Sequence, residues 1–99
     1  MGKDWFRVET DQLRALARVY DEQAYRLSGA VAVFSTVARP PADAFGILGP
    51  AHDAHTGYLR SVGQAVESLN QAIGELRRRR DALFAGAALY EAADEASRL

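Results

Sequence analysis

All three prolines of this 99-residue chain, Pro40, Pro41 and Pro50, fall in one short stretch, and the sequence on either side keeps a seven-residue apolar repeat. Proline removes a backbone donor and biases the residue before it toward extended conformations, so a helix arriving at Arg39 should end there. Gly46 and Gly49 reinforce the break. The pattern predicts one domain over residues 1–99, with a helix at about 10–38, a connection at about 39–51 and a second helix at about 52–96.

Thr10 or Asp11 is a suitable start for the first helix, since either can accept from free amide groups and Asp11 suits the positive end of the helix dipole. Leu13, Tyr20, Leu27 and Phe34 recur every seven positions, and Ala17, Ala24, Val31 and Ala38 form the adjoining row. In the second half Val62, Leu69, Leu76, Leu83 and Tyr90 form one row. Leu59, Val66, Ile73 and Ala87 form the other, with Arg80 in the missing place. Two rows at this spacing on each helix make a paired seam. The fold class that follows is all-α, an antiparallel helix-turn-helix hairpin.

Leu16, Val19, Ala30, Val33 and Val37 widen the apolar stripe of the first helix, as expected where a helix meets more than one neighbour. At about 1.5 Å per residue the first helix spans roughly 42 Å and the second approaches roughly 65 Å. The end of the second is therefore expected to overhang from about Arg79, unless Trp5, Phe6 and Val8 fold back toward it. Two helices with wide apolar faces make a poor core for so small a chain. A partner is expected, with Leu13, Tyr20, Leu27, Phe34, Val62, Leu69, Leu76, Arg80 and Leu83 at the interface and a four-helix bundle as the product.

Composition removes several function classes. Twelve Lys and Arg against thirteen Asp and Glu give a net charge of -1, which offers no basic footprint for a nucleic-acid backbone. No cysteine is present, so disulfides and thiolate metal sites are out. The N-terminus lacks an apolar core of signal-peptide length before Arg14 and Arg18, and no apolar run reaches the ~18 residues that read as a membrane span. Neither a cleaved signal nor stable membrane insertion is expected.

His52, Asp53 and His55 invite a metal or acid-base reading, but the histidines are spaced i, i+3 and no third ligand follows at a defined spacing. Asp53 reads as a helix-start residue instead. With no nucleophile elbow and no phosphate loop, the expectation is no catalytic residue, no metal and no cofactor. Arg77, Arg78, Arg79 and Arg80 point around most of a helix, so at least one must face the seam. Arg80 is that residue: either its stem snorkels, with Glu75 and Asp81 for weak pairing, or its charge selects a partner.

The order of elements resembles the WXG-like helical hairpins of ESX (type VII) secretion, and most of all the EspC-like group of excreted actinobacterial proteins. The residues are Phe6-x-Val8 leading into Leu13 and Ala17, then Phe45-Gly46-Ile47-Leu48-Gly49 at the break, and Tyr90-Glu91-Ala92-Ala93-Asp94 near the end. The Trp-x-Gly signature is absent: Phe45-Gly46 stands in its place and the single tryptophan is Trp5. An aromatic at a hairpin apex covers the ends of both helices, and glycine admits the backbone angles of a tight reversal, so Phe45, Gly46 and Gly49 are the expected turn.

Tyr90 and Asp94 are spaced i, i+4 and share one helix face. The resemblance implies that this pair is an export signal read by the ESX motor ATPase; taken alone, Tyr90 continues its row. What the resemblance implies further is a chain that is cytoplasmic before export, then secreted or at the cell surface. Its partner would be another helical hairpin, as a homo- or heterodimer, or the N-terminal hairpin of a larger toxin that the chain escorts. A cytoplasmic helical regulator or antitoxin is a different reading, supported by the arginine run alone, and culture-filtrate proteomics separates it from the export readings.

Overall fold

The computed structural model describes residues 3–38 and 49–97, with side chains from Arg7 to Ala38 and from Asp53 to Ser97. They form two helices, α1 over Lys3–Val37 and α2 over Gly49–Ser97, and no strand occurs among the described residues. Contacts divide the chain into two compact units. The first joins α1 up to Tyr25 with α2 from Gly74 onward, and the second is Arg26–Ile73.

In the first unit the buried positions are Thr10, Ala17, Ala24 and Ala87. Leu13, Tyr20, Leu76, Leu83 and Tyr90 flank them half-buried. Arg14 pairs with Glu91 and Asp21 with Arg80, so position rises along α1 as it falls along α2, and the helices run antiparallel. Small residues on the inner row let two helix backbones approach closely, which is why the leucines and tyrosines wrap the contact and none of the large side chains described is fully buried. Gly86 belongs to this arrangement: a methyl group added there would meet Leu13 Cδ1 at 3.7 Å, an ordinary van der Waals contact.

The second unit is built on larger residues, with Val31, Val62 and Ile73 buried and Leu27, Leu59, Val66 and Leu69 half-buried around them. Its part of α1 closes with the Ala38 amide donating to the Phe34 carbonyl at 2.8 Å. Thr36 Oγ1 donates to the Ala32 carbonyl at 3.1 Å. The clash that proline imposes on the residue before it accounts for a helix ending at Val37, shortly before Pro40.

Two boundaries differ from the sequence pattern. α1 begins at Lys3 and not near Thr10. Thr10 lies seven residues before Ala17 and is only 4% exposed, so it is an inner-row residue that resembles a cap by residue type alone. α2 begins at Gly49, before the expected position 52, with Pro50 inside its first turn. Proline is at home there, because its missing donor would have had no helical acceptor. The earlier start of α1 also removes the expected overhang: in the first unit the residues beyond Arg79 are met by α1, as the Arg14–Glu91 pair shows.

Candidate functional site

The expected interface residues lie on the rows that pack the helices of each unit. In the first unit Leu13, Tyr20, Leu76, Arg80 and Leu83 are half-buried; in the second Val62 is buried, Leu27 and Leu69 are half-buried and Phe34 is exposed. Of the expected turn residues, Phe45 and Gly46 lie outside the described residues, and Gly49 is the first residue of α2. His55 is half-buried in the row that continues to Val62, and Asp53 is exposed. Among the described residues no three acidic or histidine side chains gather as a metal site.

Arg80 is the seam charge, its side chain 26% exposed. Its Nη1 donates to Asp21 Oδ1 on α1 at 2.5 Å and its Nε to Asp81 Oδ1 at 2.9 Å. These two bonds, Asp21 first, hold the guanidinium above its ordinary pKa. Asp21 had no place in the sequence reading, because only the antiparallel register brings it opposite. Arg78 and Arg79 turn outward to Glu75, at 2.8 and 3.3 Å, and the hydrogen bond from Arg78 leads the causes that lower the Glu75 carboxyl below its usual range. These are exposed pairs of small energetic weight. Arg80→Leu is therefore expected to stabilise the chain, since a leucine between Leu76 and Leu83 gains apolar burial while the lost pair is partly solvated. The measurement is the urea midpoint at unchanged slope; a lower midpoint would show that the Asp21 pair outweighs apolar packing there.

The other expected constellation sits at the far end of the same unit. Asp94 follows Ala87 by seven residues, so it continues the row of Ile73, Arg80 and Ala87, while Tyr90 continues the row of Leu76 and Leu83. Both side chains are half-buried, and Asp94 Oδ1 is shielded from solvent. The last turn is pinned by Ser97 Oγ, which donates to the Asp94 carbonyl at 2.8 Å. A cleft of about 350 Å³ opens beside the pair, lined by Arg7, Thr10, Asp11 and Arg14 from α1 and by Glu91, Asp94 and Glu95 from α2. Four carboxylates thus face two guanidinium groups, one of which, on Arg14, is engaged by Glu91.

Each unit also leaves apolar residues of α1 exposed, Leu16 and Val19 in the first and Val33 and Val37 in the second. Val37 is exposed by 75%, although the sequence marks all four as apolar positions beside the seam. No helix among the described residues is long and apolar enough to cross a membrane.

The family model for the excreted virulence factor EspC of type VII ESX secretion in diderms matches residues 3–98. Neither a curated protein nor a solved structure matches the chain. A match over nearly the whole chain, from the first turn of α1 to beyond the Tyr90 and Asp94 pair, places the sequence: the chain belongs to the EspC family of type VII ESX secretion.

Proposed function

We propose that the chain is exported by a type VII ESX machine and works by protein-protein recognition, with Tyr90 and Asp94 as the residues the motor ATPase reads. The observation that carries this reading is the placement of a ring and a carboxylate one turn apart near the end of α2, in a chain of an excreted ESX family. A receptor surface pairing an apolar slot with a cation would take both groups at once.

The exposed apolar positions of α1 support a second hairpin as partner. Leu16, Val19, Val33 and Val37 leave on the surface what a pairing of hairpins into a four-helix bundle would cover. If that second hairpin is the N-terminal part of a toxin, the chain is its escort. If it is another small hairpin, the pair travels together.

The test is export itself. Expressed in an ESX-competent host, the chain is expected in the culture medium without lysis markers, and deletion of the motor ATPase should leave it inside the cell. Equal amounts in the medium with and without the motor would overturn the reading.

A further inference from the structure

The two residues proposed as the export signal are half-buried in the first unit, Asp94 in a cleft it shares with residues of α1, and a signal held in a seam cannot be read there. We infer that the first turns of α1, up to Arg14, form a cover over Tyr90 and Asp94, and that the export machine takes the tail only after this end of the unit has opened. The inference rests on the proposed export reading and adds to it a gate built into the hairpin.

Three observations carry it. Tyr90 and Asp94 stand on the two inner rows of α2, half-buried, with Asp94 Oδ1 screened from water. The elements that screen this end belong to α1: Thr10 is buried, and Arg14 bridges to Glu91, between the two signal residues. Among the described side chains the buried positions at this end are Thr10 and Ala87, which bring little apolar area, and the cleft holds more carboxylates than cations. Segments with few buried apolar contacts open locally without global unfolding. Once α1 lifts away, the same excess of carboxylates favours a basic receptor surface over the closed hairpin.

The test uses full-length chains in an ESX-competent host, read as the secreted amount relative to the intracellular pool, with thermal midpoints of the purified proteins alongside. Gly86→Ala places a methyl against Leu13 of α1 and tightens the closure. Its midpoint is expected to rise, while the secreted fraction falls by about four-fold, the factor by which burial of one methyl lowers the open population. Gly63→Ala is the control: it lies in the second unit with open space around the added group, so it should raise the midpoint and leave secretion at the wild-type level. Arg14→Glu sets like charges against Glu91 and should raise the secreted fraction at least two-fold.

Equal falls in both glycine variants would mean that overall stability governs export, and wild-type secretion of Gly86→Ala would mean that closure does not matter; either overturns the cover. Asp94→Ala is run beside them to separate the two levels. If it is secreted normally, the export reading itself fails. If it stays in the cell while Gly86→Ala matches Gly63→Ala, the reading stands and the cover alone is wrong.

Discussion

Asp94→Ala is expected to abolish appearance of the chain in the culture medium of an ESX-competent host while leaving its folding stability within about 1 kcal/mol of wild type. The two readouts separate because the side chain has opposing structural effects. Its carboxylate is half-buried with one oxygen shielded, so removing it forfeits a local interaction. Against that, alanine is the better helix former, and a negative charge near the C-terminal end of α2 opposes the helix dipole. The cleft is also relieved of one of its four carboxylates. Tyr90→Ala should likewise abolish export, but it removes a half-buried ring from an inner row and is expected to lower stability by roughly 2 kcal/mol as well. Asp94 is therefore the decisive probe. Circular dichroism and urea midpoints establish the fold, and immunoblots of medium and cells establish export. A normally secreted Asp94 variant would reduce the pair to a structural feature of the tail.

The rows that hold the units together were legible because burial in a helix pair repeats every seven residues and so does the sequence. Ala17, Ala24 and Val31 on α1, and Val62, Ile73 and Ala87 on α2, are all buried and all belong to the rows that periodicity picks out. The same rule also contained Thr10 and Asp94, seven residues outside Ala17 and Ala87, and there residue chemistry obscured it. A threonine ahead of an apolar run looks like a cap, and an aspartate near the C-terminus looks like a solvated end. With α1 started at Thr10 the end of α2 overhangs; with α1 started at Lys3 it is met.

What periodicity could not give is register between helices. Asp21 opposite Arg80 and Arg14 opposite Glu91 depend on how far α2 slides along α1, a quantity that no local pattern encodes. Nor could it separate apolar residues that face the other helix from those beside the seam. Val31 is buried and Val33 is exposed, although both are valines on one helix.

Ala17→Asp should abolish cooperative folding of the first unit, the largest structural effect expected of any single substitution here. Ala17 is 0% exposed and lies on α1 between Leu13 and Asp21, whose neighbours on α2 are Gly86 and Arg80. The intervening α2 segment carries Leu83, and the neighbouring cations Arg14 and Arg80 are already held by Glu91 and Asp21, so a carboxylate buried at position 17 would compete for partners that are taken. Burial of an unpaired charge costs several kcal/mol, comparable to the whole stability of a small domain at about 5–15 kcal/mol. Ala17→Leu separates close approach from charge. A leucine adds volume where the helices come nearest, and overpacking of this kind costs about 1–3 kcal/mol. Val37→Asp is the contrast, since that side chain is 75% exposed and its replacement should shift the isolated chain's midpoint by about 0.5 kcal/mol or less. Thermal and urea unfolding of the three purified variants checks the order. If Ala17→Leu unfolds at the wild-type midpoint, α1 and α2 are not held at alanine distance in the first unit, and the close pairing that brings Tyr90 and Asp94 against α1 would have to be abandoned.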